Sequence, residues 1–196
     1  MSDSVNDLYR VEYERLKEEQ KTRISVRDNL IYANLASTAA VITAAVAAKG
    51  HASLLLLLPP ATVVLGWTYL VNDEKVSAIG RYVRDRLGPA LNPGGAPGVF
   101  GWEVEHRSDP RRRSRKLLQV AVDLLTFAVP AFSAIVFYWA NGPWHWPLLL
   151  ISFAELVAVG VLAFEIVRYA DLGVGATPPA SAARPRRRWR RATGAG

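Results

Sequence analysis

Three carboxylates lie in or beside stretches of the sequence that otherwise carry no charge: Asp123, Glu155 and Glu165. Placing a carboxyl group inside hydrocarbon costs at least a few kcal/mol of free energy. Such a residue is therefore a candidate for a role in function, for example as a proton or cation relay. At ~1.5 Å per residue from the charged ends of the spans defined below, Asp123 lies roughly 9 Å deep and Asn34 about 8 Å. We therefore expect Asn34, Asp123, Thr68 and Glu165 to meet in one polar cluster.

Two of these carboxylates have simpler alternatives. Glu165 can reach Arg168 or the membrane interface, because long side chains bend toward water. Glu155 lies roughly 18 Å deep, too far from Asp123 for direct pairing. Because desolvation disfavours the charged form, a lone buried Glu is expected to keep its proton and to donate a hydrogen bond between helices. Interhelical bonding and a proton or cation relay both remain open for Glu155.

The elements that position these groups follow from the distribution of charge. Averages of 51% apolar and 21% charged residues would suit a soluble domain, but the charges are segregated. Uncharged apolar runs of 18 or more residues are long enough to cross ~30 Å of hydrocarbon. We count four, and they predict an all-α, integral membrane four-helix bundle made of two transmembrane hairpins, 29–71 (spans about 29–48 and 52–71) and 117–168 (spans about 117–139 and 147–168).

The remaining segments are polar. Residues 1–28 predict a solvated N-terminal helix, whose stripe of Tyr9, Tyr13 and Leu16 is expected to lie on a neighbour, on the bilayer or on a second subunit. The loop 72–116 carries a basic amphipathic helix, about 74–87, which we expect at the membrane surface. The tail, 172–196, is rich in Gly, Pro, Ala and Arg and is predicted to be disordered.

Small residues and prolines mark the spans. Ala36, Ala40, Ala44 and Ala48 recur at every fourth position and let another backbone approach closely, within the bundle or in a homo-oligomer. The adjacent prolines at 59–60 predict a kink in the second span, and Pro130 is a kink candidate in the third. Such kinks are either static or part of a gate.

The positive charges set the orientation. Lysine and arginine number six in the N-terminal segment, ten in the central loop and six in the tail, against Lys49 alone in the two short turns. Because cytoplasmic loops carry an excess of these residues, both termini and the central loop are expected in the cytoplasm, with the chain as a multi-pass protein of the plasma membrane.

Two basic clusters flank the second hairpin. Beside anionic head groups each such residue gains on the order of 1 kcal/mol, so lipid is the expected contact, with a cytoplasmic protein as a further partner. Nucleic acid is disfavoured, because Trp189 alone is available for stacking in the tail. The clusters comprise Arg111, Arg112, Arg113, Arg115 and Lys116, and Arg186, Arg187, Arg188, Arg190 and Arg191.

Enzymatic chemistry finds little support. The chain has no cysteine, and its three histidines, His51, His106 and His145, fall on different loops without the spacing of a zinc site. No glycine-rich phosphate loop follows a strand. We therefore expect no catalytic residue, no metal and no cofactor.

The stretch "GWTYLVNDEKVSAIGRYVRDRLG", followed by "WE" and a basic run before the third span, resembles small four-pass membrane proteins of high-GC, actinobacterial-type bacteria. The resemblance covers the first hairpin and the loop helix. It implies a bacterial inner-membrane protein, and it assigns no functional family.

Together these patterns favour a non-enzymatic membrane scaffold or effector, whose charged cytoplasmic face binds a partner or anionic lipid. The alternative is an oligomeric ion or proton pathway that uses Asp123 and Glu155.

Overall fold

The computed structural model describes residues 2–48, 51–92, 94 and 112–170, and across these ranges the chain is helical and contains no strand. Within these described ranges six α-helices follow one another: α1 (Ser2–Ala47), α2 (Leu58–Tyr82), α3 (Gly88–Leu91), α4 (Arg112–Phe127), α5 (Val129–Asn141) and α6 (Trp146–Tyr169). A 3-10 helix, Ala52–Leu57, precedes α2, and a π-helix, Val83–Leu87, joins α2 to α3.

Four helical stretches of the described residues are long and apolar enough to cross a membrane. They are Ser4–Ala47, Ala52–Leu91, Ser114–Asn141 and Trp146–Tyr169. Each contains one of the four spans predicted from the sequence. Ala48 and His51, on either side of the first connection, and residues 142–145 lie at one end of the bundle, called here the turn end, and the opposite end is called the charged end.

Helix α1 is continuous over 46 residues. No glycine or proline occurs between Ser2 and Ala47, so nothing in the sequence interrupts the backbone hydrogen bonds. The predicted N-terminal helix and the predicted first span are therefore one rod of about 69 Å, at ~1.5 Å per residue.

The charged halves of α1 and α2 pack against each other beyond the spans. Ile79, Val83 and Leu87 form a buried apolar cluster, and three side chains of α1 pack on it: Tyr9, Tyr13 and Leu16. We call this antiparallel pair, residues 2–28 with 73–91, the stalk. The stripe of α1 lies on a neighbour, as one alternative held. The apolar side of 74–87 faces α1, and the position of this segment at the membrane surface stays a prediction.

The stalk seam has a regular period. Along α1, the residues that face α2 or the bundle recur at alternating steps of three and four: Tyr9, Tyr13, Leu16, Gln20, Arg23, Arg27, Leu30 and Asn34. This is the spacing of an antiparallel coiled coil, in which one helix face stays against its partner over many turns. We call this contact line between α1 and its partner the seam, and we call the four helical stretches beyond the stalk the spanning bundle. The seam runs without a break from the stalk into the spanning bundle.

The π-helix adds one residue to a single turn of the second helix of the stalk. The N–H of Gly88 donates to the carbonyl of Val83, five residues earlier, instead of four. Pro89 follows directly and has no N–H to offer. The wide turn keeps Val83 and Leu87 on the seam, where they are 0% and 1% exposed.

The spanning bundle is built around α2, which contacts all the other spans. At its charged end Tyr69, Phe127, Leu162 and neighbouring side chains form one buried apolar cluster. At its turn end Leu56, Ile135 and Tyr138 form another. Gly66 makes the first cluster possible, because a Cβ there would lie 2.7 Å from Leu162 Cδ2 and 3.1 Å from the Phe127 ring.

The prolines of the second span do not interrupt an α-helix. Pro59 and Pro60 occupy the first turn of α2, directly after the 3-10 helix, where a missing N–H leaves no α-helical bond unmade. The predicted mid-helix kink at this pair is replaced by a change of helix type. Pro130 lies in the first turn of α5, after a break at Ala128, so the third span is divided there.

The alanine face of α1 points away from the bundle. Ala36, Ala40 and Ala44 are exposed and Ala48 is partly buried. Asn34, on the opposite side of the helix, is fully buried. Among the described residues this face is therefore largely exposed, and a contact with a second copy of the chain stays a prediction.

Candidate functional site

A belt of hydrogen bonds and ion pairs crosses the seam where the stalk meets the spanning bundle. Arg27 Nη1 donates to Asp73 Oδ1 at 2.8 Å, and both side chains are about three-quarters buried. One turn away, Arg23 Nη1 donates to Asn72 Oδ1 at 3.3 Å. Gln20 Nε2 then donates to the carbonyl of Val76 at 3.2 Å. We call these residues the polar belt.

The belt occupies the same seam positions as the apolar layers on either side of it. A polar layer in an otherwise apolar helix pair fixes register, because a slip by one turn would leave buried donors and a buried charge without partners. The polar belt therefore holds the stalk in one alignment relative to the spans.

Asp123 lies just inside the belt, with 8% of its surface exposed. The hydroxyl of Tyr69 donates to Asp123 Oδ1 at 2.8 Å, which joins α2 to α4. A cavity of about 20 Å³ adjoins the pair, and its polar lining includes Asp73, Lys116 and Gln119. One water molecule needs about 10–15 Å³ by the same measure, so the cavity is large enough for one.

Asn34 compensates for Pro130. In a continuous helix the N–H of residue 130 would bond to the carbonyl of Thr126, but proline has no N–H. The side-chain amide of Asn34 donates to that carbonyl instead, at 2.7 Å. On either side of the gap, Ala128 and Phe132 keep their bonds to the residues four before them, at 2.9 and 3.0 Å. The break in the third span is thus satisfied from α1.

Asn34 therefore bonds on α4 to Thr126, one turn after Asp123, whereas Asp123 bonds to Tyr69. Thr68 is exposed and its hydroxyl donates to the carbonyl of Val64 on its own helix. Glu165 pairs with Arg168 at 3.1 Å on α6, as the simpler alternative for it held, and of the two side chains Arg168 is the exposed one. The four side chains expected to form one cluster, Asn34, Thr68, Asp123 and Glu165, instead make separate contacts with other groups.

Glu155 lies deeper, between the two apolar clusters of the bundle. Its Oε2 is enclosed and has no hydrogen-bond partner among the described residues. The same holds for the hydroxyl of Ser152, one turn earlier on α6, whose residue is 3% exposed. These two polar groups share one face of one helix, without a partner from another.

The basic clusters fall largely outside the described structure. Arg115 is exposed at the start of α4, and Lys116 lines the small cavity beside Asp123. Residue 111 and the side chains of 112 and 113 are outside the described residues, as are the arginines at 186–188 and 190–191 and the whole predicted tail. His106 is outside them too. Within the described ranges no three His, Asp or Glu side chains come together as metal ligands.

Sequence reasoning missed the belt and Ser152. Sequence reasoning counts Arg23 and Arg27 only among the six positive charges of a solvated N-terminal segment, although the seven-residue period that contains Tyr9, Tyr13 and Leu16 also reaches both arginines. Extending that period past Leu16 would have placed both arginines on the seam. Ser152 carries no such signal, because a serine is tolerated at any depth of a span.

The chain was compared with protein-family models, with curated proteins and with solved structures, and none of them matches it.

Proposed function

We propose that this protein is a non-enzymatic scaffold or effector of a bacterial inner membrane, with both termini in the cytoplasm. Its stalk would present a surface to a cytoplasmic protein, and its basic clusters would contact anionic lipid. The observation that carries the proposal is the stalk itself, a helix pair that continues the seam of the spanning bundle away from the apolar spans.

The dimensions of the stalk support a presenting role. Residues 2–28 extend α1 by about 40 Å beyond the span, and residues 73–91 extend the second helix by almost 30 Å, at ~1.5 Å per residue. Movement of an ion across hydrocarbon requires none of this length. A rigid rod held in register by the polar belt suits an attachment point at a fixed distance from the membrane.

The outer side of the stalk carries apolar side chains that no part of the described chain covers. Leu8 is 70% exposed, Val11 is 54% exposed and Val5 is 45% exposed. They alternate with charged residues, including Arg10, and lie beside the seam residue Tyr9. Such a surface is suited to a protein contact of modest size, with apolar residues at its centre and charges at its rim.

A photo-crosslinking amino acid at Leu8 tests the proposal in intact cells. We expect a discrete protein adduct from this position and none from Tyr32, which is 69% exposed but lies within the first span. Leu87→Asp, which places a charge in the stalk seam, should remove the adduct. A Leu8 adduct that persists in this variant, or adducts with lipid alone, would argue against the stalk as the attachment point.

The lipid part of the proposal concerns the basic clusters. A juxtamembrane cluster gains on the order of 1 kcal/mol for each basic residue near an anionic surface. Replacing the arginines at 186–188 and 190–191 by glutamine should reduce the protection of Trp189 from cleavage by chymotrypsin in anionic vesicles, and should leave its protection in neutral vesicles unchanged.

The oligomer part rests on the outward alanine face. A span whose exposed side consists largely of small residues gains little from lipid but allows a second helix to approach closely. We expect Ala40→Cys to form a disulfide between two copies in the membrane, because the chain has no other cysteine. Val64→Cys, on the exposed side of α2, is the matched control and should give no such dimer.

An ion or proton pathway is the second candidate, and the enclosed Oε2 of Glu155 favours it. The apolar cluster of Phe127 and Leu162 argues against it, because that cluster lies between the levels of Asp123 and Glu155. Proton and cation flux across liposomes separates the two functions. A flux that disappears in the Asp123→Asn, Glu155→Gln double variant would support the pathway, whereas no flux under any gradient would leave the scaffold.

A further inference from the structure

The middle of the spanning bundle differs in composition from the two apolar clusters, one at the turn end and one at the charged end, that lie on either side of it. Helix α6 turns one face to the core, at alternating steps of four and three: Leu148, Ser152, Glu155, Val159, Leu162 and Ile166. Leu148 packs on the apolar cluster at the turn end, and Leu162 belongs to the cluster at the charged end. Ser152 and Glu155 therefore lie between the two clusters.

Two other helices also place a small or polar side chain at this level of the bundle. On α2, Thr62 is fully buried between Leu56 of one cluster and Leu65 and Tyr69 of the other. On α5, Ala131 is fully buried between Phe127 and Ile135. We call Thr62, Ala131, Ser152 and Glu155 the middle layer. It contains small or polar side chains where the flanking layers have large apolar ones.

Two polar atoms of this layer are enclosed without a hydrogen-bond partner among the described residues, Ser152 Oγ and Glu155 Oε2. The Thr62 hydroxyl already donates to the carbonyl of Pro59 at 3.1 Å. A buried polar group without a hydrogen-bond partner destabilises the folded state, and a buried charge without one destabilises it more. Two further buried atoms without a partner, Asn34 Oδ1 and Thr38 Oγ1, lie on α1. Ser152 and Glu155 are on successive turns of one helix, and this spacing points to a shared site on α6.

We propose that the middle layer is a proton-binding site, in which Glu155 holds the proton and Ser152 accepts its hydrogen bond after a change of side-chain rotamer, since neither Glu155 Oε2 nor Ser152 Oγ has a partner among the described residues. The site does not rest on the proposed scaffold function. It also requires no continuous path to Asp123, so it is distinct from conduction across the membrane.

The charges around the site favour a proton over a basic side chain as the partner. No lysine or arginine occurs at 29–48, 52–72 or 117–167, which are the parts of all the spans that pack around α6 or lie on it. The titratable groups facing the bundle interior from α2, α4 and α5 are Tyr69, Asp123 and Tyr138, and none is free to pair with Glu155. Tyr69 and Asp123 bond to each other, and Tyr138 donates to the carbonyl of Pro143.

The number of oxygen atoms disfavours a divalent metal ion. Hard divalent cations take six or more oxygen ligands in proteins. The middle layer offers the two oxygens of Glu155 and the hydroxyls of Ser152 and Thr62, and no second carboxylate. A proton needs one donor and one acceptor, which Glu155 and Ser152 supply at helical spacing.

Carbodiimide labelling of the full chain in lipid nanodiscs tests the proposal. Dicyclohexylcarbodiimide reacts with protonated carboxyl groups in apolar surroundings, and mass spectrometry locates the adduct. At neutral pH we expect the adduct at Glu155, with labelling that falls as the pH is raised. Glu165, which pairs with Arg168, is the matched control and should remain unlabelled.

Infrared spectroscopy gives a second, independent measurement. The difference between wild type and Glu155→Gln should contain the C=O stretch of a protonated carboxyl group at neutral pH. Ser152→Ala should shift that band to higher frequency, because the hydrogen bond to serine is lost, whereas a purely structural serine would leave it in place. Ser133→Ala, at an exposed position on α5, is the control variant and should not move the band.

Three results would overturn the proposal. One is the absence of both the adduct and the carboxyl band in folded wild-type protein at neutral pH. Another is labelling that sodium or calcium abolishes at constant pH, which would assign the layer to a cation. The third is a band that Ser152→Ala leaves unshifted, which would remove Ser152 from the site. The labelling measurements use wild-type protein and do not depend on the folding of a variant.

Discussion

Asn34 makes the hydrogen bond to the carbonyl of Thr126 that Pro130 cannot make. The contribution of this bond to the free energy of unfolding can be measured. Asn34→Leu should lower the free energy of unfolding by about 1–3 kcal/mol, because the buried carbonyl of Thr126 loses its donor. The measurement is a denaturant titration of the protein in detergent. Pro130→Ala supplies a backbone N–H four residues after Thr126 and should restore part of the loss in the double variant.

The double-mutant cycle is the control for this assignment. Asn34 and Pro130 should couple by on the order of 1 kcal/mol, as residues that share one partner do. Asn141→Ala removes an exposed side-chain amide that bonds to the carbonyl of Phe137, and it should change stability little. If the effects of Asn34→Leu and Pro130→Ala simply add, Asn34 does not act through Thr126.

The bond between Tyr69 and Asp123 is the second contact with an energy of its own. Tyr69→Phe removes the donor and leaves Asp123 Oδ1 buried, so stability should fall by about 1–3 kcal/mol. Asp123→Asn should cost less, since an amide oxygen still accepts the bond from Tyr69. Tyr32→Phe, at an exposed position, is the control. Equal losses from Tyr69→Phe and Tyr32→Phe would show that the bond contributes nothing.

At the scale of elements, the stalk is expected to unfold separately from the spans. Leu87 is 1% exposed in the seam. Leu87→Ala should cost about 2–5 kcal/mol there through the lost contacts and the remaining cavity. Hydrogen exchange should therefore quicken at the amides of 5–20 and 76–90, and amides beyond the polar belt should keep their protection.

The neighbouring position supplies the control for this prediction. Arg86 is exposed, and Arg86→Ala should leave exchange in the stalk nearly unchanged. If Leu87→Ala quickens exchange equally throughout α1 and α2, the polar belt does not divide the pair into separate units, and the stalk and the spans unfold together.

The elements also show what the sequence could predict and what it could not. The four spans follow from uncharged length, and the continuity of α1 follows from the absence of glycine and proline between Ser2 and Ala47. The positions of Pro59 and Pro60 at the start of an α-helix could not be read from composition, because a proline pair is compatible with either a kink or a first turn. The change from 3-10 helix to α-helix between Leu57 and Leu58 places the two prolines in a first turn.

The candidate site was less accessible to sequence reasoning than the fold. Depth along a span places Asn34 near Asp123, but it gives no rotation about the helix axis, and rotation decides that one bonds to Thr126 and the other to Tyr69. The outward direction of the alanine face depends on rotation for the same reason. The seam period, read from Tyr9 onward, would have supplied that angle for α1.

For the whole molecule, orientation is a proposal that follows from the segregation of positive charge. Both ends of the described chain lie at the charged end of the bundle, since α1 starts beyond it and α6 runs back toward it from the turn end. An even number of spans requires this arrangement. The four spans and the cytoplasmic side of the charged end are both parts of the proposed topology, and the side can be measured directly.

Single cysteines measure that side without interference, because the natural chain has none. Leu8→Cys and Ser114→Cys, both exposed at the charged end, should resist a membrane-impermeant maleimide in intact cells and react after permeabilisation. His145→Cys, exposed in the turn of the second hairpin, should react in intact cells. The reverse pattern would place the stalk outside the cytoplasm. It would exclude a cytoplasmic partner for Leu8 and would contradict the inference drawn from lysine and arginine, because the two short turns together contain only Lys49.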